Sequence, residues 1–175
     1  MTTMVSATRT ALWRAMTQED LPEVHDVSGE VHPGYPERPE VFAERLRLYP
    51  EGCHVLETDD GIGGYIISHP WHPFSPPKLD TLVVAMPTLP ATYYIHDLAL
   101  LPGTRGTGAA GYIVRKLADH AAAIGLRDMS LVAVNASTPF WERQGFNVLD
   151  DARVTAALSS YDADARFLMR MLPET

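Results

Sequence analysis

Cysteine, lysine and long apolar runs are scarce in this 175-residue sequence, which has one cysteine, Cys53, and two lysines. A single cysteine excludes an internal disulfide framework and is typical of proteins from a reducing compartment. No stretch approaches the roughly 18 apolar residues that a membrane-spanning helix needs. The first nine residues also lack the apolar core of a secretory signal. From these absences we expect a cytoplasmic protein that does not enter a membrane.

Positive charge is also scarce, with 14 Lys and Arg against 22 Asp and Glu and a formal net charge of −8. This balance argues against a nucleic-acid partner or an acidic membrane surface, and mildly favours small cationic partners. The sequence is 46% hydrophobic and 21% charged, as in ordinary globular proteins. At roughly 100–200 residues per domain, the length predicts one domain over residues 1–175, with residues 1–9 loosely ordered.

The periodicity of apolar residues predicts helices that alternate with strands. Two strands flank Asp59-Asp60-Gly61 as a hairpin, so the sheet should be mixed. Six prolines from Pro70 to Pro90 inclusive exclude a long helix or a central strand there and indicate a binding loop. Strands are predicted at residues 10–16, 53–57, 63–68, 81–86, 93–101, 129–134, 146–149 and 166–171. Helices are predicted from residue 21 to 31, around residues 42–49 and after the capping residue Thr138. A further helix is predicted to end at Gly125 and to bury Ile113, Leu117, Ala121 and Ile124.

Residues 106–111 read Gly-Thr-Gly-Ala-Ala-Gly, a literal G-x-G-x-x-G. Alone, this motif suggests a dinucleotide-binding turn. Such a turn requires an acidic residue at the end of the next strand, where this sequence has Asn135, and the 64 residues after Gly111 are too few to complete a doubly wound domain. The dinucleotide interpretation is therefore disfavoured. The structural alternative is a tight turn that packs a helix closely without any ligand.

Framed one residue earlier, the same segment reads Arg105-x-x-Gly108-x-Ala110, after a hydrophobic strand and Pro102. Asn135 follows, and then Phe-Trp-Glu-Arg-Gln-Gly-Phe at residues 140–146. Together these segments resemble the GNAT superfamily of acetyl-CoA-dependent N-acetyltransferases. The resemblance implies an α/β (α+β) fold. It would have a mixed, mostly antiparallel central sheet of six to seven strands, splayed near its middle by the cofactor and flanked by about four helices.

The resemblance also implies where coenzyme A binds. Backbone N–H groups of the glycine-rich turn would contact its pyrophosphate at a helix N-terminus. The pantetheine arm would lie like an added strand beside residues 93–101 and pair with backbone groups. The implied cofactor-binding residues are Leu98, Ala99, Leu100, Arg105, Gly106, Thr107, Gly108, Ala109, Ala110, Gly111, Asn135 and Phe140.

Proton transfer needs further residues, because the amine must lose a proton and the leaving thiolate must gain one. His96 is the candidate base, and the alternative is a strand histidine that only bonds to its neighbours. Strand alternation places Asp97 on the opposite face, so we expect it to be structural. The tyrosine that serves many family members as acid is replaced by Trp141, whose indole is no acid at neutral pH. Tyr161 is a candidate proton donor, or a candidate part of the wall of the acceptor pocket, and the alternative is that it packs on the surface.

The acceptor pocket of such a fold lies beneath the loops at residues 32–39 and 69–92. Aromatic walls and a carboxylate there, from Glu30 or Glu37, favour a small amine. The candidate acceptor-binding residues are Glu30, Tyr35, Trp71, His72 and Phe74. Neither His69 with His72 nor Glu30 with His32 has further ligands at metal spacing, so no metal site is predicted.

The sequence therefore predicts transfer of an acetyl group from acetyl-CoA to a small-molecule amine. Direct attack in a ternary complex is preferred, because Cys53 lies on an early strand far from the motif. The alternative is a non-catalytic acyl-CoA-binding or sensing module, which the replacement of the usual acid by Trp141 makes plausible. A homodimer is left open.

Overall fold

The computed structural model describes residues 10–174, so the expectation for residues 1–9 lies outside the described part of the chain. Seven strands form one sheet in the order β1-β2-β3-β4-β5-β7-β6. Only β4 and β5 pair in parallel, and the other neighbours are antiparallel, which confirms the predicted mixed sheet. The strands are β1 Ala11–Ala15, β2 Cys53–Thr58, β3 Gly61–Trp71, β4 Thr92–Leu100, β5 Asp128–Ala133, β6 Asn147–Val148 and β7 Arg166–Met171.

Helices cover both faces of the sheet. Because side chains alternate along β3, Ile66 packs in a core that includes the α3 side chains, whereas Tyr65 and Ile67 pack in a second core with α1 and α2. Within residues 10–174 no helix is long and apolar enough to cross a bilayer. The helices are α1 Leu21–Val31, α2 Pro39–Leu48, α3 Ala109–Ala123, α4 Thr138–Arg143 and α5 Thr155–Leu158.

The sheet splits between β4 and β5. These strands pair only where Tyr93–Ile95 meets Met129–Leu131, although both continue further. The adjacent β3–β4 register shifts by one residue, from Ile67 opposite Asp97 to Ser68 opposite Ile95. This bulge leaves His96 without a partner on β3 and changes the direction of the side chains around it.

The predicted strand at residues 81–86 is wrong. Its backbone is held by two side chains of α2 instead of by a neighbouring strand. The Glu44 carboxylate accepts from the N–H groups of Val83 and Val84 at 2.7 and 3.0 Å, and Arg45 donates to the carbonyl of Thr81 at 3.1 Å. Since these groups are satisfied by side chains, the apolar sequence there does not need a sheet.

Three further details differ from expectation. Pro70 lies inside β3, where β2 no longer pairs beyond Ile67, and a strand tolerates proline where it is paired on one side only. Ser137, not Thr138, is the N-cap of α4. Ile124 is 44% exposed, because α3 ends at Ala123 and the chain turns away at Gly125, which has a left-handed φ of +87°.

Candidate functional site

A cavity of about 940 Å³ occupies the split between β4 and β5. Its walls are the diverging halves of the two strands. One end is formed by the turn after β4 and the start of α3. The other end is formed by the α1–α2 loop and by the segment that precedes β7. The split therefore creates one cleft that joins a helix N-terminus to a cluster of loop side chains.

The helix end of the cleft is built from glycine. Gly106 and Gly108 have φ angles of +73° and +83°, which favour glycine, and Gly108 is the N-cap of α3. A Cβ atom added at either position would meet no atom within 4 Å. Among residues 10–174, the one side-chain acceptor for an N–H group at the start of this helix is the Thr107 hydroxyl, which lies a long 3.4 Å from the Ala109 nitrogen. Open space in front of an uncapped, electropositive helix end fits an anionic group.

Arg105 fixes this turn to the strand that precedes it. Its Nε donates to the carbonyl of Leu100, the last residue of β4, at 3.0 Å. In addition, the indole of Trp13 on β1 donates to the carbonyl of Ala109 at 2.9 Å. The position of the helix N-terminus relative to the cleft is therefore set by both of these hydrogen bonds.

The opposite end of the cleft contains a buried histidine–carboxylate pair. Nε2 of His96 lies 2.8 Å from Oε1 of Glu37, and the two side chains are only 2% and 6% exposed. The second oxygen of Glu37 accepts from the N–H of Asp80 at 3.0 Å, which fixes the carboxylate. Nδ1 of His96 is buried and has no hydrogen-bond partner within residues 10–174.

A second histidine–carboxylate pair lies beside the first. Nε2 of His32 is 2.9 Å from Oδ1 of Asp97, whose other oxygen accepts the Tyr65 hydroxyl. Burial lowers the pKa of His32, but the nearby Asp97 carboxylate raises it by more, so the pKa lies above its ordinary value. Burial raises the pKa of Asp97, and His32 reverses this effect, so that pKa lies below its ordinary value. Nδ1 of His32 lies 2.7 Å from the side-chain nitrogen of Asn135.

The expectation that His96 and Asp97 point to opposite faces is wrong. Both residues line the cleft, and both contact residues of the chain between α1 and α2. The β-bulge at His96 explains this, since an extra residue interrupts the strict alternation of side chains. Asp97 is therefore a residue of the site.

Three segments meet over this end of the cleft. The hydroxyl of Tyr35 donates to Asp162, and the ring of Tyr35 lies 6.3 Å from that of Tyr161. The Leu79 N–H donates to Ser160 at 3.0 Å. Burial raises the pKa of Tyr161, so its phenol stays neutral. The contacts tie the α1–α2 loop, the loop after β3 and the segment before β7 together.

The sequence of residues 12–146 matches the profile of the acetyltransferase (GNAT) family. The chain belongs to this family. No curated protein matches it in sequence. Solved structures therefore provide the remaining comparisons, and at their low sequence identities they bear on the fold alone.

Three GNAT-fold structures resemble this one. The loading GNATL domain of CurA from Lyngbya majuscula has a TM-score of 0.74 at 13% identity, covering 93% of this chain and 98% of its own. The NatC complex bound to Gag peptide and CoA has a TM-score of 0.69 at 18% identity, covering 93% and 99%. N-acetylglutamate synthase from Neisseria gonorrhoeae, complexed with coenzyme A and N-acetyl-glutamate, has a TM-score of 0.63 at 16% identity, covering 96% and 36%. Two of these three structures contain coenzyme A.

Most residues that the GNAT resemblance implies for the cofactor lie together in the cleft. Two do not line it. Ala99 points into the core beneath α1 and α2, as strand alternation requires, and the Thr107 hydroxyl turns outward to the carbonyl of Thr104. The residues that line the cleft are Leu98, Leu100, Arg105, Gly106, Gly108, Ala109, Ala110, Gly111, Asn135 and Phe140.

Trp141 stands where many GNAT members have a tyrosine. It lines the cleft but is only 6% exposed, and its ring packs against those of Phe140 and Phe146 at 4.9 and 5.5 Å. The position is therefore part of the hydrophobic core and provides no acidic hydroxyl.

The acceptor residues expected in the loop after β3 do not line the cleft. Trp71 is buried at the end of β3 and packs on His72, and Phe74 packs on Phe167 of β7. Glu30 lies on the exposed face of α1. Of the five expected acceptor residues, only Tyr35 lines the cleft. Sequence reasoning also missed the pairing of His32 with Asp97, since it considered His32 only beside Glu30. Residues 10–174 contain no group of three or more side chains suited to hold a metal ion.

Proposed function

We propose that the protein transfers an acetyl group from acetyl-CoA to the amine of a small molecule, by direct attack while both are bound. One observation carries this proposal. The same cleft joins an uncapped helix N-terminus, which suits a pyrophosphate, to a buried histidine whose Nδ1 has no partner among the described residues. A cytoplasmic location fits the free thiol of Cys53.

The residues of the cleft fit acetyl-CoA, which supplies a thioester whose acetyl group is activated towards amines. Gly106 and Gly108 leave room for the pyrophosphate, and Arg105 holds their turn on β4. Leu98 and Leu100 lie on the part of β4 that β5 leaves unpaired, where backbone groups are able to bind an extended arm. Asn135 flanks that arm from the end of β5.

His96 acts as the base in this proposal. The Glu37 carboxylate binds Nε2 and orients the ring, so Nδ1 accepts the amine proton, directly or through one water molecule. Glu37 is a positioning residue, because its second oxygen is already occupied by the Asp80 N–H. Backbone N–H groups on the open stretch of β4 stabilise the developing oxyanion.

The closed end of the cleft supports a small acceptor. Contacts between Tyr35 and Asp162 and between Leu79 and Ser160 join the loops over it, which leaves little room for a protein chain. The carboxylates of Glu37 and Asp97 favour a cationic amine in this region. The neutral phenol of Tyr161 forms part of the wall and is able to donate a hydrogen bond to the acceptor.

The position of the cysteine supports direct attack. Cys53 is fully buried on β2, and burial raises the pKa of its thiol to about 12. A thiol that stays protonated and does not line the cleft is a poor nucleophile for a covalent intermediate.

The decisive experiment measures thiol release from acetyl-CoA by the purified protein, with a panel of small primary amines in one arm and peptides with a free N-terminus in the other. We expect release with small amines and an acetylated product by mass spectrometry. Turnover with peptides alone would contradict the acceptor class. Stabilisation by acetyl-CoA without thiol release in either arm would instead support a non-catalytic acyl-CoA-binding or sensing module, which the replacement of the usual acid by Trp141 favours.

A further inference from the structure

The loop after β3 is fastened to α2 by charged side chains. Glu37, which precedes the helix, accepts from the Asp80 N–H at 3.0 Å, and Arg38 donates to the Asp80 carbonyl at 3.3 Å. Further along the loop, the buried side chains of Glu44 and Arg45 bind the backbone groups described above. The path of the loop is therefore set by four side chains, two from α2 and two from the residues just before it.

Asp80 has a left-handed backbone conformation, with a φ of +55°. Aspartate adopts this conformation more readily than most residues. Its carboxylate accepts from the backbone N–H of Arg38 at 2.8 Å and from Nε of Arg38 at 3.2 Å, and the first of these bonds contributes most to a pKa below the ordinary value. The pair is partly exposed and adds little stability, but it holds Asp80 by both its side chain and its carbonyl. The Asp80 N–H is thereby directed at Glu37.

Glu37 links this loop to the histidine of the site. One carboxylate oxygen accepts from the Asp80 N–H, and the other lies 2.8 Å from Nε2 of His96. The Glu37 and His96 side chains are 6% and 2% exposed, so water has little access to replace either bond. If the Asp80 N–H moved away, Glu37 would lose the contact that fixes its orientation toward the ring.

The bond to Glu37 determines which ring nitrogen of His96 carries the proton. An ionised carboxylate only accepts hydrogen bonds, so the proton of the neutral ring lies on Nε2. Nδ1, which has no hydrogen-bond partner within residues 10–174, is then the basic nitrogen. In the other tautomer Nδ1 already carries a proton and cannot take one from an amine. A carboxylate that holds one tautomer of a histidine base therefore supports the rate without reacting itself.

We infer that Asp80 is a positioning residue of the acetyl transfer, because its N–H holds Glu37 in the orientation that keeps the proton of His96 on Nε2. Arg38 supports this role by holding the side chain and the carbonyl of Asp80. The inference rests on the proposed function, in which His96 is the base. Asp80 does not line the cleft, so it acts without touching acetyl-CoA or the acceptor.

One test does not depend on turnover. The ring nitrogens of His96 are observed by NMR in isotope-labelled protein with the ring neutral, and their signals are assigned from their loss in His96→Ala. A single fixed tautomer gives two well-separated nitrogen shifts. We expect Asp80→Ala to move the two shifts towards each other. Asp80→Asn should stay near the wild type, because its amide oxygen still accepts from Arg38 and asparagine tolerates a positive φ. Identical His96 shifts in the wild type and Asp80→Ala would overturn the inference.

The second test is kinetic. Asp80→Ala should lower kcat by roughly 10–100-fold, the usual loss when an outer hydrogen-bond partner of a functional side chain is removed, with acetyl-CoA affinity unchanged. Asp80→Asn should restore most of the rate. If Asp80→Ala does not fold, Asp80→Gly, which accepts a positive φ and lacks the carboxylate, should show the same loss. An unchanged kcat in the folded variant, or a parallel loss of acetyl-CoA affinity, would overturn the inference.

The chain offers a matched control. Asp151 also accepts from the backbone N–H and the Nε of a nearby arginine, Arg153, and it does not line the cleft. Asp151→Ala removes this similar pair and should leave kcat near that of the wild type. A loss of kcat as large as that in Asp80→Ala would show that any such pair affects the rate, which would overturn the role of Asp80.

A double-mutant cycle separates a positioning role from a general structural one. Glu37→Gln has one side-chain oxygen where the carboxylate has two, so it already gives up one of the two bonds. If Asp80 acts through Glu37, adding Asp80→Ala to Glu37→Gln should lower kcat little further. Additive losses would mean that Asp80 acts independently of Glu37, and the inference would be wrong.

The two proposals can fail separately. If no amine is acetylated, the proposed function fails and the catalytic role of Asp80 fails with it, but the NMR comparison still decides whether Asp80 fixes the ring of His96. If amines are acetylated and the His96 shifts do not respond to Asp80→Ala, only the inference about Asp80 is lost.

Discussion

The two ends of the cleft are built in opposite ways. The cofactor end is one continuous turn, residues 105–111, whose contribution is backbone geometry and empty space. The acceptor end is assembled from side chains whose hydrogen-bonded pairs, His96 with Glu37 and Tyr35 with Asp162, are 59 and 127 residues apart in sequence. A local motif therefore specifies the first end, whereas the second depends on the tertiary fold.

This difference predicts different responses to mutation. At the cofactor end, the residues that matter are those that keep the turn open and anchored. At the acceptor end, single ionisable side chains should control the rate and leave the affinity for acetyl-CoA nearly unchanged. The predictions below test this separation, from the largest expected effect to the smallest.

Gly108→Val should abolish detectable acetyl-CoA binding. The residue has a φ of +83°, which a β-branched side chain rarely adopts, and its Cβ would enter the open space before α3. Isothermal titration calorimetry on the folded variant measures the loss. Gly103→Ala is the matched control in the same segment, since its Cβ also meets nothing and its φ is not positive, so binding should persist. Unchanged affinity in folded Gly108→Val would disprove the cofactor assignment, and binding of NADH in its place would revive the dinucleotide interpretation.

His96→Ala should lower kcat by roughly 10²–10⁴-fold with acetyl-CoA affinity nearly intact. Glu37→Gln should cause a smaller loss, because it weakens the hold on the ring and keeps the base. Steady-state rates measured against pH, with amines of different basicity, distinguish the cause. If the inflection follows the pKa of the amine and His96→Ala keeps most activity, the amine loses its proton in solution and His96 serves packing only.

Arg105→Ala should weaken acetyl-CoA binding by roughly 1–3 kcal/mol, the range for a charge-assisted contact. The change removes a cation beside the turn and the hydrogen bond from its Nε to the Leu100 carbonyl. Arg105→Lys separates these contributions, since it keeps the charge and loses the guanidinium geometry. The value of kcat at saturating acetyl-CoA should stay near that of the wild type. A large fall in kcat with unchanged affinity would contradict the division between the two ends.

How far the sequence predicted the site follows the same division. The turn, Asn135 and the strands around them were predictable, because each depends on residues close together in the chain. The pairing of His32 with Asp97 was not, because it depends on the bulge at His96, which the apolar pattern of β4 does not reveal. Likewise, residues 81–86 have the apolar character of a strand, but Glu44 and Arg45 bind their backbone groups, and that competition arises only in the folded chain.

The smallest predicted effect is on stability alone, at a place that lines neither end. Asp20 accepts from Arg14 at 2.7 and 2.9 Å and from the Thr17 N–H at 2.8 Å, and the bond from Arg14 lowers the pKa of its carboxyl to about 2. Since this value lies below that of an unfolded aspartate, about 3.9, the carboxylate stabilises the folded protein above roughly pH 4. That stabilisation is lost as the pH falls towards 2.

Asp20→Asn should therefore lower the free energy of unfolding by about 1–2 kcal/mol at pH 7, a range reduced because Arg14 is partly exposed to solvent. Urea denaturation of both proteins at pH 7 and near pH 2 measures the effect, and the difference between them should shrink at the acidic end. Acetyl-CoA affinity and kcat should match those of the wild type, since Asp20 and Arg14 do not line the cleft. A variant that loses stability equally at both pH values would assign the effect to packing. If Asp20→Asn also lowers acetyl-CoA affinity or kcat, the two ends of the cleft depend on the contact between Asp20 and Arg14.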